Sequence, residues 1–167
     1  QGIDAAFNRV QPIAGDTKTV WLIYIRSLAQ TRSLGDSFAM DQAAKAYALF
    51  PEDETIFLLY RILTYGQPRI VEAEQIFTNA NEAYTARDFN QAAQLFKQAF
   101  DLDPLQPSYC LNTGLAFYEG KQFDNAIEYF DLAIALKKSD IVERAQRYKG
   151  LSLYQAGRGP EACAVFI

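Results

Sequence analysis

Apolar residues recur at helical spacing along nearly the whole chain, and they group into helix pairs. In the stretch 115–133, LAFYEGKQFDNAIEYFDLA, small and aromatic residues stand where two antiparallel helices joined by a tight turn would touch. The pattern recurs 34 residues upstream, where Phe89 and Ala92 take the places of Phe123 and Ala126. It recurs 36 residues downstream, at Gly150, Tyr154, Ala162 and Phe166. A period near 34 that carries a helix–turn–helix unit predicts an all-α fold of stacked helix pairs.

The expected helices form two groups. A regular array covers 73–167, with a truncated last repeat and helices at Ile70–Arg87, Asn90–Leu102, Pro107–Gly120, Phe123–Lys137, Ile141–Ala156 and Pro160–Ile167. A degenerate segment covers 1–72, with helices at 1–11, Thr19–Ser33, Phe38–Phe50 and Glu54–Tyr65. The first of these is either the second half of an incomplete repeat or a cap, and we expect it to end at Pro12, Gly15 and Asp16. The chain opens without Met and stops within a repeat, so we expect a segment of a longer protein.

Small residues mark where the helices of each pair should cross. Two antiparallel helices approach closely only where small side chains meet. On the first helices these residues are Ala80, Gly114 and Gly150, and on the second helices they are Ala92, Ala126 and Ala162. The residues expected to fill the space between repeats are Phe96, Phe130 and Phe166, and those expected to anchor the turns are Phe89 and Phe123.

Composition narrows the possible functions. Half of the 167 residues are hydrophobic and 22% are charged, which is typical of a globular protein. A net charge of -4 with scattered Lys and Arg argues against a nucleic-acid partner. The chain has no histidine and only Cys110 and Cys163, so we expect no metal, no cofactor, no enzyme activity and no disulfide. No apolar run reaches the roughly 18 residues of a transmembrane helix.

Residues 73–167 resemble the tetratricopeptide-repeat family, and residues 20–53 resemble it more weakly. The resemblance is carried by the order small residue, Tyr or Phe, turn, Ala, Phe, Ala, and then Pro104. In the weaker repeat the corresponding residues are Ser27, Ala39, Ala46 and Pro51. The resemblance implies an α-solenoid, a right-handed superhelix of antiparallel helix pairs. It also implies a concave groove, lined by the first helix of each pair, that receives an extended peptide or a partner helix.

Matching to the family assigns the groove to three first helices. The predicted groove residues are Phe77, Asn81, Tyr84, Leu111, Asn112, Leu115, Tyr118, Arg144, Arg147, Tyr148, Leu151 and Tyr154, and the same matching also places Glu74 and Ser108 in the groove. Asparagine amides can donate to and accept from a peptide backbone, and arginine can grip a carboxylate in two places. The structural alternative is that the two arginines are simply solvated and that Tyr118 and Tyr154 pack between helices.

One branch of the family offers a sharper comparison. Co-chaperones that hold the acidic C-terminal tails of heat-shock chaperones use a clamp of two asparagines and three basic residues. Asn81, Asn112 and Arg144 fall on matching positions, whereas Phe77 and Tyr148 replace two of the basic residues. The resemblance to this clamp is therefore partial.

The resemblance predicts a non-catalytic scaffold that binds a protein or peptide in the groove. Two alternatives are a secretion-type chaperone and the docking or sensor portion of a larger protein. A further possibility is self-association through an exposed apolar face that contains Trp21, Ile23, Phe57 and Tyr60.

Overall fold

The computed structural model describes residues 2–15 and 17–165. Within them the secondary structure is helical, so the predicted all-α class is confirmed. The described helices are α1 Gly2–Ala14, α2 Lys18–Thr31, α3 Ser37–Leu49, α4 Glu54–Tyr65, α5 Gln67–Thr85, α6 Phe89–Leu102, α7 Pro107–Glu119, α8 Phe123–Ala135, α9 Ser139–Gln155 and α10 Gly159–Val165. The chain divides into two compact units, Gln1–Ile70 and Val71–Ile167. None of the described helices is long and apolar enough to cross a membrane.

Helix α1 extends further than the sequence predicts. It continues through Pro12 to Ala14, so the prediction that Pro12 ends this helix is wrong. Proline removes only its own N–H donor, and two residues beyond it complete the last turn at the cost of one hydrogen bond. Gly15, with φ at +65°, follows the end of the helix in a conformation that glycine adopts without strain. Asp16, the other residue expected to end α1, lies outside the described residues.

The core of the first unit forms around α2. Its apolar face, Trp21, Tyr24, Ile25 and Leu28, packs with three alanines of α3 and with Ile56 and Leu63 of α4. Ala39 and Ala46, two of those alanines, are fully buried. Small side chains at this spacing let α3 approach its neighbours closely.

This packing corrects the predicted self-association face. Trp21 and Phe57 are only 4% and 3% exposed, so neither contributes to an exposed apolar surface. Trp21 is buried because it lies on the same side of α2 as Ile25 and Leu28, and this side faces the core. Ile23 lies on the other side and is 64% exposed, as the prediction required.

Aspartate side chains cap the N-termini of three helices, α3, α4 and α6. Asp36 accepts from the Ala39 amide at 2.9 Å, and Asp88 accepts from the Gln91 amide at 3.0 Å. Asp53 accepts from two amides of α4, and Lys18 lies 3.1 Å from its other carboxylate oxygen. The bond from the Ile56 amide is the main reason that the pKa of Asp53 lies below its ordinary value. These caps satisfy N–H groups that a helix leaves unpaired at its start.

The turns within the helix pairs of the second unit repeat one geometry. Arg87, Lys121 and Gly157 occupy equivalent positions and have φ values of 63°, 60° and 77°. In each case the next residue donates its amide to a carbonyl five residues earlier, as Gln122 does to Phe117 at 2.8 Å. This is the geometry of a Schellman motif, in which backbone hydrogen bonds satisfy carbonyls at the end of the helix and the chain reverses direction.

Glycine 114 sets how closely α7 and α8 pack. A Cβ added there would lie 2.6 Å from Cε1 and 2.8 Å from Cδ1 of Phe130. Phe130 itself is fully buried, so its ring has little room to move. The small residue on the first helix therefore makes space for the aromatic residue of the second helix.

Each core cluster of the second unit is completed by the first helix of the following pair. Phe96 of α6 packs with Ala80 of α5 and with Ala116 of α7. Phe130 of α8 packs likewise with Leu111 of α7 and Ala145 of α9. The predicted filling of the inter-repeat space is thus confirmed for Phe96 and Phe130, while Phe166 lies outside the described residues.

Replacing Gly114 with alanine should destabilise the protein by about 1–3 kcal/mol, because Phe130 must shift within a close-packed core. The measurement is urea-induced unfolding followed by far-UV circular dichroism. Gly159→Ala is the matched control, since no atom lies within 4 Å of a Cβ at that position. Equal unfolding midpoints for the two variants would contradict the close approach of Gly114 to Phe130.

The two cysteines should react at very different rates. Cys110 is fully buried, and burial raises its pKa to about 12, whereas Cys163 is exposed. Because the thiolate is the reactive form, Ellman's reagent at pH 8 should modify one thiol quickly and the other only after denaturant is added. A Cys163→Ser variant should lose the fast phase. Two fast phases in the wild-type protein would show that Cys110 is accessible.

Candidate peptide-binding groove

The first helices of the second unit, α5, α7 and α9, lie side by side. The rings of Phe77 in α5 and Tyr109 in α7 have centroids 4.9 Å apart. The rings of Tyr118 in α7 and Tyr148 in α9 meet edge to face at 5.6 Å. Tyr84 of α5 packs against the same core cluster as Tyr118 and Tyr148. Successive first helices therefore form one continuous face.

Three tyrosines meet on this face, and we refer to Tyr84, Tyr118 and Tyr148 as the tyrosine cluster. Each ring is half-buried. The rings of Tyr84 and Tyr118 lie edge to face against Phe89 and Phe123, at 5.4 Å and 5.9 Å. The predicted turn anchors therefore hold the tyrosines of two successive repeats in the same way.

The hydroxyl groups of the tyrosine cluster form no hydrogen bond with the residues described here. Burial raises the pKa of the Tyr84 phenol, and the negative charge of nearby Glu119 raises it further. The phenol of Tyr84 is therefore protonated at neutral pH and can donate a hydrogen bond. A half-buried phenol that finds no partner in the protein is suited to a polar ligand.

The two asparagines share one arrangement. Asn81 donates from Nδ2 to the Phe77 carbonyl at 3.0 Å, and Asn112 donates to the Ser108 carbonyl at 2.8 Å. Both bonds reach back one turn along the same helix. Within 2–15 and 17–165 nothing donates to their Oδ1 atoms, so each side chain still has acceptor capacity.

The two predicted arginines are exposed on α9. The guanidinium of Arg147 lies 5.5 Å from the ring centroid of Tyr148, a cation–π contact that ties it to the tyrosine cluster. Arg144 makes no ion pair with any residue in the described ranges, and neither Asp140 nor Glu143 on the same helix neutralises it at contact distance. Arg144 is therefore an exposed cation with no ion-pair partner among the described residues.

The predicted aliphatic and aromatic residues separate by exposure. Leu111 and Leu115 are 0% and 8% exposed, so they support the face from below and offer a ligand almost no surface. Leu151, equivalent to Leu115 in the next repeat, is 38% exposed, and Tyr154, equivalent to Tyr118, is 69% exposed. The difference arises because α9 packs over α7 through residues such as Ile141, which joins the cluster of Leu115.

Two features of the face go beyond the sequence prediction. Tyr148 stands where the clamp has a basic residue, and its ring packs between Tyr118 and Phe130 and completes the tyrosine cluster. Glu119 was not predicted, because an acidic residue at a helix end is usually a solvated charge. Over the described ranges, no group of three or more acidic or cysteine side chains is placed to hold a metal ion.

Comparison with known proteins agrees with this architecture. Residues 77–141 match the family described as Tetratricopeptide repeat. The Small glutamine-rich tetratricopeptide repeat-containing protein 2 of Mycosarcoma maydis is 31% identical over 97 residues, which cover 58% of this chain and 27% of that protein. A solved structure of a MamA mutant superposes with a TM-score of 0.52 at 17% identity and covers 90% of this chain and 93% of that one.

These findings define the fold. Residues 77–141 match the tetratricopeptide-repeat family, and the predicted α-solenoid fold is confirmed. The chain spans about a quarter of the length of its curated relative.

Removing the hydroxyls of the tyrosine cluster should leave stability almost unchanged. The variant Tyr148→Phe keeps the ring contacts with Tyr118 and Phe130 and loses only a hydroxyl that has no partner among residues 2–15 and 17–165, so we expect a change below about 0.5 kcal/mol. Tyr148→Ala should cost about 2–4 kcal/mol, because it leaves a cavity at the junction of α7, α8 and α9. Urea unfolding of both variants measures the difference. A loss in Tyr148→Phe as large as that in Tyr148→Ala would mean that the hydroxyl serves the fold.

Proposed function

We propose that the protein is a non-catalytic scaffold that holds an extended segment of a partner protein across α5, α7 and α9. The observation that carries the proposal is the tyrosine cluster, in which three successive first helices each contribute a half-buried tyrosine whose hydroxyl has no partner in the described structure. The polar groups beside it, on Asn81, Asn112 and Arg144, lie on the same three helices.

The chemistry of the face suits a peptide main chain. An extended peptide exposes N–H and C=O groups at regular intervals, and each such group needs a partner when it is buried. The phenols can donate to peptide carbonyls, and the Oδ1 atoms of Asn81 and Asn112 can accept from peptide amides. Arg144 adds a cation for a carboxylate of the ligand.

The dimensions set the length of the bound segment. Neighbouring helices pack about 8–10 Å apart, so three first helices span about 16–20 Å. An extended chain advances about 3.3 Å per residue, so about five or six residues cross the face. A short linear segment of a partner is therefore sufficient.

A catalytic role has no support among the groups on this face. General base catalysis near neutral pH commonly uses histidine, which the chain lacks. Cys110, in the core below the face, is buried with its pKa raised to about 12, which disfavours the nucleophilic thiolate. Binding is the activity that the arrangement favours. The two alternatives considered from the sequence, a secretion-type chaperone and the docking portion of a larger protein, would use this same face.

The proposal is tested by peptide binding. Peptides selected from an array by the wild-type protein should bind at least tenfold more weakly to a variant that combines Asn112→Ala with Arg144→Ala, since a loss of about 1.4 kcal/mol corresponds to a factor of ten. The triple variant Tyr84→Phe, Tyr118→Phe, Tyr148→Phe should weaken binding similarly while remaining folded.

The control removes an asparagine and a basic residue from the second helices instead. Asn125→Ala combined with Lys97→Ala removes an asparagine and a cation from α8 and α6, and it should bind as the wild type does. The proposal is wrong if the wild type selects no peptide, or if the Asn112/Arg144 and Asn125/Lys97 variants bind the selected peptides equally well.

A further inference from the structure

Helix α1 in the first unit has few buried side chains. None of its described side chains is fully buried, and the half-buried ones are Ile3, Asp4, Phe7 and Gln11. Val10 is 44% exposed and Ile13 is 87% exposed. A helix of 13 residues that also contains a proline has little stability of its own, so its position depends on these few contacts.

Beneath α1 lies an aromatic surface of α2. The ring of Phe7 stacks on Tyr24 with centroids 3.8 Å apart and planes 9° from parallel, and it meets Trp21 edge-on at 4.9 Å. Trp21 and Tyr24 are each only 4% exposed with α1 in place. Release of α1 would therefore expose the parts of both rings that Phe7 covers.

A polar anchor accompanies the aromatic contact. The Tyr24 hydroxyl donates to Oδ1 of Asp4 at 3.0 Å, and Arg32 donates from Nη2 to the other carboxylate oxygen. Arg32 also lies 3.8 Å from Asp36, at the start of α3. The surface thus favours an acidic side chain one turn before an aromatic one.

The fit between α1 and this surface is incomplete. An open cleft of about 260 Å³ remains between α1 and α2, and its lining is almost entirely apolar. Ala6 of α1 faces the cleft together with Val10, and Val20 and Ile23 of α2 line the other side. A larger apolar side chain at the position of Ala6 would bury more of this surface from water.

We propose that α1 docks reversibly on α2, and that the surface it covers (Trp21, Tyr24 and Arg32) binds an amphipathic helix of a partner protein. That helix carries an acidic residue three positions before an aromatic residue, as Asp4 precedes Phe7, and a large apolar residue where α1 has Ala6. Such a helix keeps the anchor and the ring stack and also fills the cleft, so it displaces α1. A second copy of the chain has no such advantage, because its own α1 would leave the same cleft.

The first test uses the single tryptophan of the chain as a reporter. In wild-type protein, the amides of α1 should exchange hydrogen far faster than those of α2, since local opening of α1 does not require global unfolding. Phe7→Ala should shift Trp21 emission to longer wavelength and increase acrylamide quenching, with the far-UV unfolding transition retained. Ile13→Ala, on the exposed side of the same helix, should behave as the wild type does. Equal protection of α1 and α2, or unchanged Trp21 emission in Phe7→Ala, overturns the proposal.

The second test measures binding in trans. Synthetic peptides of residues 2–14 are titrated into the full-length Phe7→Ala variant while Trp21 emission is followed. The peptide with Ala6→Leu should bind about tenfold more tightly than the native peptide, because it buries additional CH₂ groups. The peptide with Asp4→Asn should bind more weakly than the native peptide. Equal binding of all three peptides overturns the assignment to a partner helix. So does a Phe7→Ala variant that forms a dimer on size-exclusion chromatography and binds none of the peptides.

Discussion

The arrangement of the second unit depends on the close contact between Gly114 and Phe130. Because no side chain projects from Gly114, the ring of Phe130 lies against the backbone of α7 and is fully buried. Tyr148 of α9 then stacks on Phe130 at 6.0 Å and reaches Tyr118. A packing constraint within one helix pair therefore positions the next first helix, which is how stability in a repeat protein comes from neighbours rather than from single repeats.

The same constraint gives the candidate groove its chemistry. Close stacking of α5, α7 and α9 brings three tyrosines together and half-buries their rings, while the core beneath them offers apolar side chains such as Leu111. Apolar support cannot satisfy the hydroxyl groups, and our proposal assigns them to a ligand. In that proposal the ring of each tyrosine serves the fold and its hydroxyl serves the partner.

Much of the fold could be predicted from periodicity, and α4 was predicted with its observed bounds. The corrections arise where tertiary packing decides. Pro12 lies inside α1, because the loss of one hydrogen bond near a helix end is tolerated. Trp21 and Phe57 are buried, and a sequence does not show which neighbour covers an apolar helix face. The positive φ angles of Arg87 and Lys121 could not be predicted from residue type, since glycine is the usual residue in that conformation.

The candidate groove was less predictable than the fold. Repeat positions identify which residues face the first-helix surface, yet Leu115 and Leu151 occupy equivalent positions and differ several-fold in exposure. Exposure depends on the next helix in the stack, and neither repeat position nor residue type encodes it. The approach of Tyr148 to Tyr118 likewise depends on how α9 packs against α7 and α8. The role of these residues in binding remains a prediction.

The most direct test of the central claim is fluorine NMR of the protein labelled with 3-fluorotyrosine and saturated with a selected peptide. Assignment by single Tyr→Phe variants separates the tyrosine cluster from Tyr129, a half-buried tyrosine on α8. The account predicts that the resonances of Tyr84, Tyr118 and Tyr148 shift while that of Tyr129 does not. Shifts at Tyr129 with an unchanged tyrosine cluster would contradict a groove on α5, α7 and α9.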